Sequence, residues 1–159
     1  RVSSPLATLP AMPAYKLTYF EARGRGEVAR DLFYLAGVPY EDLRIPKAEW
    51  PEVKASTPFG YLPVLEVDGK PLPQSGAINR YLAKEFGFAG KSAFESAWVD
   101  AIADQQKDHE NDIWPPFLIH LGHLPGEKET QMKEKIEPAR DKHFTILEKI
   151  AKENGSNGH

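Results

Sequence analysis

A chain of 159 residues with 41% hydrophobic content holds enough apolar material to bury a core, as one ordinary domain or two small ones. Its net charge of −3, with 10 basic and 10 acidic side chains over residues 12–87 and 9 against 13 over 88–159, leaves no footprint for nucleic acid and no polybasic membrane patch. The absence of cysteine excludes disulfides, thiolate zinc sites and dithiol redox chemistry by the protein itself, so any thiol chemistry must use a thiol carried by a ligand.

Residues 1–11, rich in small polar residues and proline, have no hydrophobic period and read as a disordered extension before Met12. The start lacks the apolar core of a secretory leader, and no later run approaches the ~20 residues of a membrane span, which points to a cytoplasmic protein. Tyr15–Phe20 sets Tyr15, Leu17 and Tyr19 against Lys16, Thr18 and Phe20, the pattern of a strand in a sheet covered on both faces. Glu27–Ala36 predicts a helix with Val28, Leu32 and Leu35 as its stripe, closed by Gly37 and Pro39. Tyr40–Ile45 reads as a second strand and Ala48–Lys54 as a short helical turn. Val64–Val67 and Lys70–Leu72 form a hairpin about Asp68-Gly69, and Ser75–Phe86 is a helix with Ile78, Tyr81, Leu82 and Phe86 on one side. The order βαβ, α, ββα makes an α/β layer module over residues 12–87.

Residues 88–91 read as a linker, and 92–159 as helix only. Ala93–Ile113 carries Phe94, Trp98, Ala101, Ile102 and Gln105 at helical spacing and continues past an expected kink at Pro115-Pro116. After a turn at Gly122–Gly126, Glu127–Lys152 predicts one more helix, with Met132, Ile136, Phe144, Leu147 and Ile150 as its stripe and a kink at Pro138. Two wide apolar stripes with no third element to cover them suggest an incomplete helical domain.

The segment Pro58–Ser75 is the most informative. Pro63, between a loop and a strand, is a candidate cis residue that leaves the Leu62 backbone for a partner other than a strand. Ser75 reads as an N-cap, and a helix N-terminus presents unpaired N–H groups to a carboxylate. Together these suggest a dock for a small peptide-like anion. Tyr19, at the end of the first strand, is either a half-buried strand tyrosine or a phenol placed to donate to a ligand thiolate. Arg23-Gly24-Arg25-Gly26-Glu27 lacks the spacing of a phosphate loop; Arg25 either brings its guanidinium to the Tyr19 hydroxyl or is a solvated residue at a helix start. Trp50 and Lys54 share one face of a short turn, offering a flat wall and a cation, or else one core and one surface residue. Asp100, Asp104 and Asp108 recur along one helical stripe, as a solvated acidic face or as carboxylates reaching across a dimer. His120 and His123 have no third ligand and no His-Glu-x-x-His motif, so no metal is expected.

Tyr-Lys-Leu-Thr-Tyr-Phe at 15–20, Arg-Gly-Arg-Gly-Glu at 23–27, Trp50, Lys54, Phe59–Val64 and Gln74-Ser75 followed by Ala77-Ile78 and Arg80-Tyr81-Leu82-Ala83 strongly resemble a sigma-class cytosolic glutathione transferase. The pattern is similar to that of the nematode branch and of the related haematopoietic prostaglandin D synthase, and the resemblance runs from Met12 to the end of the chain, which it implies is truncated at its C-terminus. It implies a thioredoxin-like N-terminal domain with a mixed four-stranded sheet, binding glutathione, and an incomplete all-α C-terminal domain that completes the electrophile site. By this resemblance Tyr19 stabilises the glutathione thiolate, and Trp50 and Lys54 hold the glycyl end. Leu62, before cis-Pro63, pairs with the cysteinyl backbone, with Gly60, Tyr61 and Pro63 also at the glutathione; Gln74 and Ser75 hold the γ-glutamyl group. Phe20, Gly24 and Arg25 border the electrophile pocket, with Arg25 also at the glutathione, and Asp108 reaches the glutathione of a partner subunit in a homodimer. The implied activity is conjugation of glutathione to hydrophobic electrophiles in detoxification. Glutathione-dependent prostaglandin D isomerase activity and a non-catalytic glutathione-binding role are the alternatives. Two positions depart from the pattern: Gly76 replaces a larger residue in the first helical turn, at up to ~1 kcal/mol against alanine, and Lys107 stands where the mammalian prostaglandin synthase has an acid, which argues against a magnesium effect.

Overall fold

The computed structural model describes residues 12–154, so the expectations for the extension 1–11 and for the tail 155–159 lie outside the described residues. The chain divides into two compact units, the first ending at Ser92 and the second beginning at Ala93.

In the first unit, strand β1 (Tyr15–Phe20) is followed by helix α1 (Glu27–Ala36), strand β2 (Glu41–Ile45), helix α2 (Trp50–Lys54), strands β3 (Val64–Val67) and β4 (Lys70–Pro73), and helix α3 (Ser75–Glu85). The sheet order is β2-β1-β3-β4. Strand β1 pairs in parallel with β2, from Lys16↔Glu41 to Phe20↔Ile45, and antiparallel with β3, from Tyr15↔Val67 to Thr18↔Val64. The β3–β4 hairpin turns on Asp68 and Gly69, both at positive φ. This is the mixed four-stranded sheet expected from the sequence, and its edge strand β4 carries Pro71 and Pro73, residues that cannot donate to a further strand.

Tyr15, Leu17, Ala29, Phe33, Leu65, Ile78 and Leu82 form the core between the sheet and helices α1 and α3. Phe33 organises it, stacked on Tyr40 at 4.1 Å and edge-on to Tyr15 at 5.2 Å. This corrects the stripe expected for α1. The buried residues are Ala29, Arg30 and Phe33, while Val28 and Leu35 are 44% and 67% exposed. A phenyl ring buries more apolar area than either aliphatic side chain, so the helix turns to seat Phe33 and only Leu32 of the expected stripe reaches the core.

The second unit consists of α4 (Ala93–His120), α5 (Lys128–Gln131), a π-turn at Met132–Ile136 and α6 (Glu137–Glu153). Helix α4 runs through Pro115 and Pro116 as one element. The single helix expected over Glu127–Lys152 is interrupted instead. Glu137 donates its N–H to Met132 O, five residues back, and Pro138, with no N–H to give, falls in the first turn of α6. The stripe is also corrected: Phe144 is 59% exposed, and His143, four before Leu147 and seven before Ile150, is the buried residue. Phe94 and Trp98 are likewise exposed. No helix among the described residues is long and apolar enough to cross a membrane.

His143 stacks on His109 with ring centroids 4.2 Å apart and planes 2° from parallel. Burial, and secondarily the charge of His109, holds its pKa below the ordinary histidine range. The neutral form is therefore the one that fits the fold, and its contribution is present above the unfolded pKa and lost as pH falls through the folded one. The denaturation midpoint of the helical signal is expected to drop between about pH 7.5 and about pH 5, and His143→Leu to flatten that dependence. Urea titrations at both pH values check this, and an undiminished slope in the variant rules it out.

Candidate functional site

Strand β1 delivers Tyr19 to the carboxyl end of the sheet, where β1 and β2 stop pairing and the chain turns through residues 21–26. Alternation along the strand puts Tyr19 on the same face as Tyr15 and Leu17, so the residue is 8% exposed rather than half-buried. The turn is held by Glu21 N–H on Ile45 O at 3.3 Å and by Ala22 N–H on Phe20 O at 2.7 Å. It then enters a short 3-10 segment, Gly24–Gly26, where Arg25 donates its backbone N–H to Tyr19 Oη at 3.1 Å. Arg25 thus meets the hydroxyl through its main chain, where the sequence suggested the guanidinium. A phenol oxygen that accepts here keeps its own proton for donation elsewhere.

Two glycines make this approach feasible. Gly24 has φ +44, and a Cβ on it would lie 2.7 Å from Tyr19 Oη; on Gly26 a Cβ would lie 2.6 Å from Cδ1 of the same ring. The Tyr19 ring also meets Phe20 edge-on at 5.5 Å, and Phe20 meets Trp50 of α2 at 5.5 Å. An aromatic row therefore joins the end of β1 to α2.

One turn along α2, exposed Lys54 faces Gly60, whose hypothetical Cβ would stand 3.6 Å from Lys54 Cε. Pro51, Lys54, Ala55, Thr57 and Gly60 line an open groove of about 400 Å³. Beyond it Tyr61 is 70% exposed, and the Leu62–Pro63 bond is cis. The β1–β3 ladder ends at Val64, so Leu62 lies outside the sheet pairing. At the far end of the hairpin the expected N-cap is corrected by one residue. Gln74, at φ 76 and ψ 114, is the N-cap and its carbonyl accepts from Ile78, whereas Ser75 is the first helical residue. A non-glycine residue at that φ is strained, and such residues gather at ligand sites. Ser75 and Gly76 are thereby the first two helical residues of α3, whose N–H groups have no acceptor within the helix.

Tyr19, Phe20, Gly24, Arg25, Trp50, Lys54, Gly60, Tyr61, Leu62, Pro63, Gln74 and Ser75 all belong to the first unit, at the end of β1 and the turn after it, on α2, in the loop before β3 and at the start of α3. Asp100, Asp104 and Asp108 lie on α4, with Asp108 exposed, and His120 and His123 at and beyond its end, all in the second unit. Among the described residues no group of three or more His, Asp or Glu is placed to hold a metal ion. Sequence reading missed Arg30, which is buried on the core face of α1; its placement three residues after Glu27 and three before Phe33 was the available signal.

Residues 15–84 match the family model described as glutathione S-transferase, N-terminal domain. The chain is 52% identical over 145 residues to glutathione S-transferase 1 of Ascaris suum, covering 91% of this chain and 70% of that protein. It is 55% identical over 97 residues to hematopoietic prostaglandin D synthase of Gallus gallus, covering 61% of this chain and 49% of that one. The solved structure of a Nu-class glutathione S-transferase from Haemonchus contortus superposes with a TM-score of 0.80 at 58% identity, over 89% of this chain and 70% of that one.

The fit of the Tyr19 ring against Gly26 has a measurable cost. Gly26 has φ −87, which any residue adopts, so the obstacle to Gly26→Ala is the ring alone. The substitution is expected to destabilise the protein by about 1–3 kcal/mol. In a Tyr19→Ala background it should cost clearly less. Urea denaturation of the four chains measures the coupling, and equal costs in both backgrounds would overturn the assignment.

Proposed function

Because the chain belongs to the glutathione S-transferase family, and is a transferase whose co-substrate is glutathione, we propose that Tyr19 donates its phenolic proton in a hydrogen bond to the glutathione thiolate. The observation that carries this reading is the Tyr19 oxygen, fixed by the Arg25 N–H at 3.1 Å with its ring seated on two glycines. A thiol titrates near ~8.5 in water, and lowering that by about two units corresponds to about 2.7 kcal/mol in favour of the thiolate. A charge-assisted hydrogen bond of about 1.5–3 kcal/mol covers most of that difference. The thiol proton leaves to solvent, the sulfur lone pair forms a C–S bond at an electrophilic carbon, and the leaving group departs with its bonding pair.

The rest of the ligand is assigned along the same rim. Trp50 and Lys54 take the glycyl carboxylate, supported by the groove beside Lys54. Leu62, ahead of Pro63, takes the cysteinyl backbone, supported by its position outside the strand ladder, and Gly60 and Tyr61 stand beside it at the glutathione. Gln74 and Ser75 take the γ-glutamyl group, supported by the strained backbone of Gln74 and the helix start behind it. Phe20, Gly24 and Arg25 border a hydrophobic electrophile. The glutathione-binding domain is assigned to residues 12–87, a linker to 88–91 and the helical domain to 92–159. Sigma class, a detoxifying role and a cytoplasmic setting complete the reading; the class rests on the sequence motifs and on the likeness to a prostaglandin D synthase, while the Haemonchus relative bears the class name Nu. That same likeness favours glutathione-dependent prostaglandin isomerisation as the second reading.

Tyr19→Phe is expected to lower turnover of chlorodinitrobenzene by about 10- to 100-fold at neutral pH while retention on immobilised glutathione stays near wild type. Unchanged turnover would sink the role given to Tyr19, and loss of retention would show that it binds rather than activates. Asp108 is assigned to the glutathione of a partner subunit in a homodimer. Asp108→Ala should then raise the KM for glutathione by a few-fold in a protein that sediments as a dimer, and a monomer with unaltered KM refutes that assignment.

A further inference from the structure

We propose that Arg30 is a positioning residue for Tyr19, holding the turn after β1 in the one arrangement that fixes the phenol. The proposal rests on the reading of Tyr19 given above. Arg30 projects from the core face of α1 with its side chain only 7% exposed, and its Cζ stands 5.8 Å from the centroid of the Tyr19 ring. One guanidinium there joins three separate segments. Its Nη1 donates to the backbone oxygen of Ala22 at 2.8 Å and to Glu27 Oε2 at 3.0 Å, and its Nε donates to Asp42 Oδ1 at 3.1 Å. Ala22 belongs to the turn leaving β1, Glu27 opens α1, and Asp42 lies on β2, where Arg44 steadies its other oxygen at 2.8 Å.

Stability alone does not explain an arginine at this place. Its neighbours on the buried face are Ala29 and Phe33, and buried ion networks can often be replaced by apolar side chains with no loss or with a gain in stability. The network is also incomplete, since Nη2 is buried and finds no acceptor among the described residues. Arg30 does provide a side-chain link from the core to the turn after β1, alongside the backbone bonds of Glu21 and Ala22. That turn carries both features that immobilise the phenol, the Arg25 N–H on Tyr19 Oη and the backbone of Gly24 and Gly26 against the ring. With Ala22 O released, the Gly24 backbone is free to leave its positive φ and Arg25 to swing off the hydroxyl. Arg30 would thus affect the bound thiol without touching glutathione.

The test compares Arg30→Met, Arg30→Lys and Asp42→Asn, each alone and combined with Tyr19→Phe, in the purified protein. The readouts are the unfolding midpoint, the affinity for glutathione, and the apparent pKa of the bound thiol from its thiolate absorbance. With Tyr19 present, Arg30→Met should raise that pKa by about one unit and cut turnover at neutral pH about tenfold, with affinity changed less than about threefold. Arg30→Lys should recover part of the loss, Asp42→Asn should shift the pKa in the same direction by less, and none should shift it further once Tyr19 is Phe. A lowered midpoint with an unmoved thiol pKa, in a chain where Tyr19→Phe does raise it, overturns the role of Arg30 and leaves that of Tyr19 standing. If Tyr19→Phe itself leaves the thiol pKa unchanged, the reading of Tyr19 fails and takes this one with it. Should Arg30→Met not fold, Arg30→Lys and Asp42→Asn decide the matter on the same readouts.

Discussion

The alternation of Tyr15, Leu17 and Tyr19 along one face of β1 is the constraint from which the site follows. Tyr15 and Leu17 are locked into the core by Phe33, Leu65 and the two helices, and Tyr15 is buried well enough that its pKa is pushed up to about 12. With those two residues fixed, Tyr19 has only one place to go, because slipping the register by a single residue would turn the whole row to the other face. The core thus aims the phenol, and the glycine turn receives it. The aromatic contacts from Tyr19 through Phe20 to Trp50 carry the same register on to α2.

Much of this was legible in the sequence, for reasons that differ by element. The first strand, the hairpin and α3 were read correctly because period-two and period-three-to-four patterns there coincide with turn residues that permit few alternatives, such as Asp68-Gly69. The face of α1 was misread because two stripes overlap on it, and the choice between them depends on which side chain meets Tyr15 and Tyr40, a tertiary fact. Arg30 was passed over for the same reason. A charged residue on a helix reads as solvent-facing until the partners Asp42 and Ala22 O, from two other segments, are known. In the second unit the weaker apolar pattern left room for larger errors. The π-turn before Pro138 and the burial of His143 in preference to Phe144 follow from backbone register and from the pairing with His109, neither of which a hydrophobicity pattern encodes.

The shift of the N-cap from Ser75 to Gln74 has a physical lesson. A serine before an apolar stripe has the side chain of a good cap, but here no side chain caps the helix at all. Gln74 occupies the cap with φ 76, a conformation that costs of order 1–3 kcal/mol in a non-glycine residue. With Gln74 in the cap, the N–H groups of the first turn, Ser75 and Gly76 among them, have no capping side chain to bond. The glycine at 76, a departure from the expected pattern, has room around it, its hypothetical Cβ meeting only the Arg80 Nη1 at 3.4 Å.

Most of the assigned site is therefore main chain: the Arg25 N–H, the Leu62 backbone outside the ladder, and the start of α3. What such a site asks of the sequence is a backbone path rather than a set of reactive side chains. Glycines are needed where Tyr19 lies against the chain, and a turn is needed where Gln74 reverses. Within that path only a few side chains have chemistry of their own, and Tyr19 is the one the core holds most firmly. A chain without cysteine can serve thiol chemistry under these conditions, because its task is to hold the thiol and its charge in place while the ligand supplies the sulfur.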